Sequence, residues 1–351
     1  MMRPSGTYNV NYENDIAIVR TLWQWGMLIG FLVFLFTVPP LFLSSRWLSF
    51  LVITAIVIIA AQGLSILTGY AGQFSLGQAA FMAVGAYTSG ILTSVLGFSF
   101  WAALPCAGLG AALVGFVFGL PSLRVKGFYL ALATLAAHFI IMYIVSHLTI
   151  TGGTDGMYVP PVTLGGIDFG SDRNYYFLAM GLAVLMVFFA KNLVRTMAGR
   201  AFIAIRDNDI AARVMGVNVF QYKLLSFFVC SFYAGVAGSL LAHYWQVVHP
   251  EQFTLTDSIW YVGMIVIGGL GSTLGAILGV AFIQLLREVV SIMSPAVNAI
   301  LPAFMGVEVS AALGGITFGL VLILFLIFEP RGLAHRWQVI KAYYRLWPFA
   351  Y

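Results

Sequence analysis

Three polar side chains lie close together in a glycine-rich part of the sequence. Gln73, Ser75 and Gln78 place two amides and one hydroxyl within six residues, inside the stretch from Gly63 to Tyr87. Amides and hydroxyls donate and accept hydrogen bonds, so this set can line a path for a polar solute. Close helix packing by small residues is the alternative interpretation, but packing alone does not require three such polar groups.

A second glycine cluster interrupts another apolar stretch. Gly268, Gly269 and Gly271 lie between two apolar halves of the sequence. Such clusters can leave backbone groups without helix hydrogen bonds, which membrane depth permits only where protein or a watery cavity covers them. Broken helices in corresponding halves of a transporter point to its translocation path. We therefore predict that both clusters border such a path.

A third group of polar residues occurs between two apolar runs, in the segment 195–223. Asp207 or Asn208 is a good N-cap, and Asp209 favours the positive start of a helix. Gly216 suits a left-handed helix end. A short amphipathic helix here would be a rigid peg that a soluble partner can push, and a solvated connector is the alternative. The candidate contact residues are Arg206, Asp207, Asp209, Ala211, Ala212, Arg213 and Gly216.

Catalytic and metal-binding patterns are missing from the sequence. None of the four lysines follows a glycine, which excludes the Gly-Lys-Ser/Thr loop of P-loop ATPases. There is no His-Glu-x-x-His or Gly-x-Ser-x-Gly pattern, and the five histidines are scattered. Most carboxylates in the apolar part fall at the ends of apolar runs, and only Glu288, beside Arg287, falls inside one. We predict no catalytic residue, no metal site and no cofactor in this chain.

The composition identifies the environment that these residues occupy. Of the 351 residues, 61% are hydrophobic and only 8% are charged, and the mean hydropathy is +0.97. Soluble domains carry about 25% charged residues, so a soluble fold of this length could not cover its surface. The chain is therefore predicted to be a polytopic membrane protein, which excludes most soluble enzymes and nucleic-acid-binding proteins.

Apolar runs of suitable length predict an all-α transmembrane bundle with about eight to ten spans and broken helices. Helices are the only suitable assignment, because lipid cannot satisfy an open strand edge and no run has the alternation of a barrel. The run 258–270 is too short to span alone and is a candidate to join 273–290, which leaves the number of spans at eight to ten. The ten runs are 22–43, 48–68, 79–96, 101–120, 128–148, 175–194, 224–249, 258–270, 273–290 and 309–328.

Positive charges orient these spans, because cytoplasmic loops are enriched in Lys and Arg. Segment 191–223 has six bases against two acids, and the tail 330–351 has four bases and no acid, so both are predicted to be cytoplasmic. Loop 149–174 has three acids against one base and is predicted to be periplasmic. With an N-terminal segment 1–21 inside, both termini of the transmembrane domain 22–329 are cytoplasmic.

Several motifs resemble those of ABC importer permeases. Ala211-Ala212-x-x-x-Gly216 is similar to the Ala-Ala-x-x-x-Gly core of the loop by which these permeases dock to their ATPases, although Ile210 stands where many importers have Glu. Further matches resemble the branched-chain amino acid type, and within it the LivM-like subunit. They are the segments 69–87 (GYAGQFSLGQAAFMAVGAY), 126–135 (KGFYLALATL), 151–156 (TGGTDG), 268–271 (GGLG) and 330–332 (PRG).

The resemblance implies a non-catalytic permease subunit of the bacterial inner membrane that forms half of a translocation path. The implied partners are a second, LivH-like permease, two ABC ATPase subunits that bind ATP and magnesium, a periplasmic substrate-binding protein and the lipid bilayer. The implied solute is a branched-chain amino acid or a related amide, urea or small organic acid. No nucleic-acid partner is expected.

Two points stay open from the sequence. Loop 151–156 is a candidate for docking the binding protein, through Thr151, Gly152, Gly153 and Asp155, but its glycines are equally explained as turn residues. An ion-coupled secondary transporter of a small solute is the alternative function, favoured by the number of spans and by the broken helices.

Overall fold

The computed structural model describes residues 22–125, 127–164, 167–300, 309–329 and 331–346. The predicted N-terminal segment 1–21 lies outside the described residues. The rest is almost entirely helical, as the composition predicts. The helices are α1 (Leu22–Phe42), α2 (Ser45–Leu64), α3 (Gln78–Ser94), α4 (Phe100–Gly119), α5 (Phe128–His147), α6 (Asp172–Arg195), α7 (Met197–Asp207), α8 (Asp209–Val214), α9 (Val219–Trp245), α10 (Leu255–Gly268), α11 (Thr273–Ile300), α12 (Val309–Phe328) and α13 (Gly332–Leu346).

Shorter elements join these helices. A π-helical turn over Ser65–Tyr70 continues α2, and 3-10 turns occupy Leu120–Leu123 and Pro250–Gln252. Two-residue strands β1 (Met157–Tyr158) and β4 (Val247–Val248) pair antiparallel, and so do β2 (Thr163–Leu164) and β3 (Ile167–Asp168). All four strands lie between α5 and α10 in the sequence, at one end of the bundle.

The two ends of the bundle differ in chemical character. The 24-residue helix α6 connects them, which corresponds to about 36 Å at 1.5 Å per residue. The basic end holds the segment 195–223, and the strand end holds the loop before α6. Helix α13 begins at the basic end, where Gly332 packs on Gly269. The segment 195–223 and the start of the tail, which were predicted to lie on the same side of the membrane, therefore lie at the same end of the bundle. That this end is cytoplasmic stays a prediction.

Seven helices of the described residues are long and apolar enough to cross a membrane, and an eighth crossing results if the bent pair α12 and α13 counts as one span. Large apolar side chains cover the outside of the bundle, as expected for a lipid-facing surface. Leu113 is 63% exposed, Phe139 56% and Ile327 66%. All ten predicted apolar runs are helical, but the helices at 79–96 and 258–270 are shorter than a full span.

These two short helices, α3 and α10, explain the difference between ten runs and seven or eight spans. After Tyr70 the chain turns back, so that Gln78 at the start of α3 donates through Nε2 to the carbonyl of Ala60 at 2.8 Å. Helix α3 therefore begins inside the bundle, beside the C-terminal part of α2. Of the alternatives left open for 258–270, the one in which it joins the next run is excluded. Helix α10 instead packs antiparallel against α11, with Gly268 beside Gly275 and Met264 beside Gly279.

Helix α9 lies at the centre and packs against α2, α3 and α4. Small residues permit this close approach. A Cβ added to Gly238 would lie 1.9 Å from the Met82 carbonyl oxygen, and one added to Gly85 would lie 2.3 Å from Gly235 Cα. The spacing of Gly235 and Gly238 thus serves helix packing, which is the usual use of small residues three or four apart in membrane helices.

Candidate translocation and coupling site

The basic end carries a helix pair formed by α7 and α8. Asn208 separates the two helices and caps α8, because its Oδ1 accepts hydrogen bonds from the backbone N–H groups of Ile210 at 3.0 Å and Ala211 at 3.1 Å. Gly216 follows α8 with φ of +84° and has no neighbouring atom within 4 Å of an added Cβ. The predicted N-cap and left-handed helix end are both confirmed, and each follows from local side-chain chemistry.

One residue of α8, Ala212, lies on a different side of the helix from the one predicted. Ala212 is buried and packs with Ile205 and Val219, at the end of α7 and the start of α9. Ala212 is therefore turned away from the exposed side of α8, whereas both alanines were predicted to lie against a partner. Its small side chain instead lets α8 fold back on the chain. Ala211 and Arg213 are exposed.

The exposed side of α8, with the residue that follows it, carries three large apolar side chains beside Arg213. Ile210 is 71% exposed, and Val214 and Met215 are each 82% exposed. Exposed large apolar side chains are unusual at an end of the bundle whose segment 195–223 carries five basic residues, and such a patch commonly marks an interaction surface. The surface formed by Ile210, Val214 and Met215 is here called the α8 apolar surface.

Arg206 joins α7 to the first glycine cluster. Its Nη1 donates a hydrogen bond to the carbonyl oxygen of Gly69 at 3.0 Å, and its Nη2 pairs with Asp207 Oδ1 at 2.9 Å. The side-chain stem packs on Gly72, where an added Cβ would lie 2.7 Å from Arg206 Cγ. Gly72 has φ of +68°, so both its conformation and its closeness to Arg206 favour glycine.

The two glycine clusters touch each other beside Arg206. A Cβ added to Gly69 would lie 2.4 Å from the backbone nitrogen of Gly271, and one added to Gly271 would lie 3.1 Å from Arg206 Nη1. Gly271 and Gly269 have φ of +74° and +110°, which non-glycine residues rarely adopt. Residues from the predicted path and from the predicted coupling segment thus form one contact site at the basic end.

The polar residues of the first cluster lie inside the chain. Gln73, Ser75 and Gln78 are at most 4% exposed. Gln73 Nε2 donates to Ser226 Oγ at 2.9 Å, and Cys230 Sγ donates to Gln78 Oε1 at 3.2 Å. Their side chains point away from the outer surface, and their role in a translocation path stays a prediction.

Gln73 also borders a cavity of about 290 Å³ at the basic end. Its Oε1 atom has no hydrogen-bond partner among the described residues, and the same holds for Ser122 Oγ across the cavity. The buried Lys223 and the guanidinium of Arg206 complete a polar lining. The cavity lies directly beneath α7, so any movement of that helix changes its shape.

A repeated pattern links the two short helices, and sequence reasoning missed it. Gln-Phe-Ser-Leu at 73–76 matches Gln-Phe-Thr-Leu at 252–255, and each pattern leads into a short helix, α3 or α10. Equivalent positions of the two copies meet, because the Ala79 backbone N–H donates to Ser258 Oγ at 3.0 Å. Internal repeats with broken helices are typical of transporters, and a comparison of the sequence with itself could have revealed this one.

The loop 151–156 lies at the strand end. Thr151 is buried, and its hydroxyl donates to the carbonyl oxygens of Val145 at 2.6 Å and Leu148 at 2.7 Å, which closes the end of α5. Gly152 and Gly153 have positive φ of 78° and 60°, as turn residues do. Asp155 is exposed. Only part of this loop presents a surface, and its contact with a binding protein stays a prediction.

Taken together, the apolar helices, the repeated short helices and the two glycine clusters define a polytopic membrane protein of the transporter class. The sequence pattern of the family described as the permease component of the branched-chain amino acid transport system matches residues 46–327. The chain belongs to this family. Membership favours a permease component over the ion-coupled alternative.

Known relatives are permease subunits of the same kind. The chain is 35% identical over 274 residues to the high-affinity branched-chain amino acid transport system permease protein LivM of Escherichia coli (strain K12). This match covers 71% of this chain and 64% of that relative. The chain is 27% identical over 248 residues to a probable LivM of Methanocaldococcus jannaschii, which covers 69% of this chain and 66% of the relative. The chain therefore spans just under two thirds of the length of the Escherichia coli protein.

A second type of relative covers more of its own length. The chain is 22% identical over 298 residues to the high-affinity branched-chain amino acid transport system permease protein LivH of Salmonella typhimurium, and the match covers 80% of this chain and 92% of that relative. No solved structure matches the chain.

Proposed function

We propose that this chain is one of two permease subunits of an ABC importer for a small polar solute, a branched-chain amino acid or a related amide, urea or small organic acid. It performs no chemistry and carries no cofactor. The observation that supports this most directly is the contact of Arg206 with Gly69 and Gly271, because it connects a solvent-exposed helix pair to both interrupted parts of the bundle.

Each proposed protein partner is suggested either by an exposed surface of this chain or by the name of one of its relatives. A LivH-like permease supplies the other half of the path. Two ABC ATPase subunits bind ATP and magnesium and receive the α8 apolar surface in a groove, because Ile210, Val214 and Met215 lose contact with water there. A periplasmic substrate-binding protein docks at the strand end, where Gly152 and Asp155 are exposed. The membrane is the bacterial inner membrane, with the basic end in the cytoplasm.

Coupling follows from the rigidity of the link between these parts. When the ATPases close, they push α8, and α7 follows because Ala212, Ile205 and Val219 pack together. Arg206 then carries the displacement to Gly69 and Gly271. Glycine backbones change conformation with little steric penalty, so the backbone at the two glycine clusters is where the helices of the bundle move relative to one another.

The test is uptake by the reconstituted complex. The chain is co-purified with its companion permease, ATPases and binding protein, and is placed in liposomes with a labelled branched-chain amino acid. We expect uptake that requires ATP and the binding protein and that proton and sodium ionophores leave unchanged. Uptake that continues without ATP and collapses with an ionophore would overturn the proposal and restore the ion-coupled alternative.

A further inference from the structure

A second cavity opens toward the strand end and has a mixed polar and apolar lining. Its volume is about 610 Å³, within the range of about 300–1,000 Å³ that is typical of small-molecule sites. Helices α2, α3, α9, α10 and α11 all contribute side chains to it. It is separate from the smaller cavity at the basic end and shares no lining residue with it.

One lining side chain has a hydrogen-bonding capacity that no described residue satisfies. Gln284 on α11 is only 6% exposed, and its Nε2 atom has no acceptor among the described residues. A buried donor without a partner costs about 1–3 kcal/mol, so native proteins rarely keep one without a use. An amide N–H group is a donor, and the missing partner is therefore an oxygen acceptor.

The charged groups beside Gln284 are held in place by partners of their own. Arg287, one turn along α11, lies with its guanidinium carbon 5.0 Å from the ring centre of Trp260. Arg46 forms an ion pair with Glu288, with Nη2 and Oε1 at 2.7 Å. Arg287 and Gln284 are thus positioned as donors on the same wall, and a carboxylate is the acceptor whose two oxygens match such a pair.

The inner end of the cavity adds two helix N-termini. Ala79 in the first turn of α3 and Asp257 in the first turn of α10 both line it, and the two helices meet through the bond from the Ala79 N–H to Ser258 Oγ. The N-terminus of a helix carries a partial positive charge that favours an anion nearby. At α10 the Asp257 carboxylate already accepts from the Thr254 backbone N–H at 3.1 Å and offsets this charge, so the N-terminus of α3 is the one that favours an anion.

A further part of the lining is apolar. Val57, Met82, Leu241 and Phe253 line the inner part of the cavity. This surface gives an aliphatic group the contacts that it would otherwise lack in water. The cavity therefore offers the donors of Gln284 and Arg287 on one side and an apolar surface on the other. Of the two carboxylates that also line it, Glu288 is paired with Arg46 and Asp257 caps α10.

We propose that this cavity is a binding site, within this chain alone, for a small aliphatic carboxylate. Gln284 and Arg287 bind the carboxylate, and the apolar wall holds the aliphatic part. The inference rests on the proposed function and narrows it, because it selects carboxylate-bearing solutes over urea and amides. It also places a solute site inside one permease subunit and not only between two.

The test uses the purified full chain in lipid nanodiscs, with no partner subunit. Binding is followed by intrinsic fluorescence, since Trp245 lines the cavity and Trp260 lies against Arg287. Two carboxylates, leucine and 4-methylpentanoate, are compared with two probes that lack the carboxylate, 4-methylpentanamide and isoamylamine. We expect at least one of the two carboxylates to bind saturably. Neither the amide nor the amine should bind saturably. Absence of saturable carboxylate binding, or equal binding of the amide or amine, would overturn the site.

A variant ties the binding to Gln284. Gln284→Leu removes the donor while keeping a similar volume, and we expect carboxylate binding to weaken roughly tenfold or more. The ligand-free variant should melt at the same or a higher temperature than the wild type, because it no longer buries an unpaired amide. That readout separates lost binding from lost folding. The exposed Gln221 at the basic end supplies the matched control, and Gln221→Leu should bind as the wild type does.

The outcome is separable from that of the proposed function. ATP-driven uptake by the complete complex together with wild-type binding by Gln284→Leu would remove this site and leave the importer intact. Carboxylate binding by the chain without any ATP-driven uptake by the complex would keep the site and remove the importer.

Discussion

The guanidinium of Arg206 donates a hydrogen bond to the carbonyl oxygen of Gly69, 137 residues earlier in the chain, at 3.0 Å. Gly69 in turn lies against Gly271, whose Cα has no side chain to keep the two backbones apart. One side chain at the end of an exposed helix thus contacts both places where membrane helices are interrupted. Because only 38% of the Arg206 side chain is exposed, its main contacts are internal and not on the rim of a partner interface.

Arg206→Met tests this link. Methionine keeps a flexible stem that can pack on Gly72 but removes the donor to Gly69, a charged hydrogen bond worth about 1–2 kcal/mol at a partly exposed site. We expect the complex to assemble and hydrolyse ATP while uptake per ATP falls roughly tenfold. The exposed Arg124, which follows the 3-10 turn Leu120–Leu123 and lies outside the segment 195–223, provides the control. Arg124→Met should change uptake less than twofold, because an exposed charge contributes only about 0–1 kcal/mol. Equal uptake by the two variants would contradict the link.

The contact between the glycine clusters predicts a sharp difference between two glycine substitutions. Gly69→Ala places a Cβ 2.4 Å from the Gly271 nitrogen, so the backbones must separate, at a cost of about 1–3 kcal/mol. Gly181→Ala on α6 has no neighbour within 4 Å and replaces glycine inside a helix, which should leave stability unchanged or raise it by up to about 1 kcal/mol.

Thermal unfolding of the purified chain in one detergent checks both variants. The midpoint should fall for Gly69→Ala and hold or rise for Gly181→Ala. A Gly69→Ala chain as stable as the wild type would mean that the two clusters do not touch.

The meeting of the two repeats predicts an energetic role for Ser258. Ser258→Ala removes the acceptor of the Ala79 N–H inside the bundle, and an unpaired buried donor costs about 1–3 kcal/mol. Ser291→Ala, on the exposed part of α11, should have almost no effect. The unfolding midpoints of the two variants, measured side by side, should therefore differ by several degrees, and coincident midpoints would argue against the repeat contact.

The sequence predicts local features well because the determining groups are local. The N-cap at Asn208 and the left-handed turn at Gly216 depend on residues within four positions, and both are confirmed. The apolar runs also predict every long helix. Tertiary pairings are different, since hydropathy cannot distinguish a helix that crosses the membrane from one that begins inside the bundle, as α3 and α10 do.

The candidate site shows the same limit. The glycine clusters and the segment 195–223 could be identified as separate features, but nothing in their spacing predicted that Arg206 would join them. Ala212 was expected to face a partner and packs inward instead, because a six-residue helix has to bury one side against its own chain. The repeat at 73–76 and 252–255 was visible in the sequence and is the signal that could have placed the two short helices together.

Sidedness follows from the positive-inside rule and can be tested by cysteine labelling. In a background that carries Cys106→Ser and keeps the buried Cys230, single cysteines replace the exposed Asp155 and Arg213. We expect a membrane-impermeant maleimide to label position 155 in spheroplasts and position 213 only after permeabilisation. Labelling in the reverse order would invert the topology and remove the predicted cytoplasmic location of α7 and α8.

Gly216 tests whether the α7 and α8 pair transmits force or only connects two spans. Its φ of +84° costs a β-branched residue about 1–2 kcal/mol, while its surroundings are open, so conformation is the only constraint on the side chain. Gly216→Val should therefore tilt α8 without disturbing the membrane core. Asn tolerates the left-handed region far better than Val, which makes Gly216→Asn a control of similar size. We expect the Gly216→Val chain to insert normally but to lose its co-purifying ATPases or its ATP-driven uptake. The Gly216→Asn chain should keep most of both. If Gly216→Val carries its full complement of ATPases and transports at the wild-type rate, then α8 is a connector, and the coupling role proposed for Arg206 loses its source of movement.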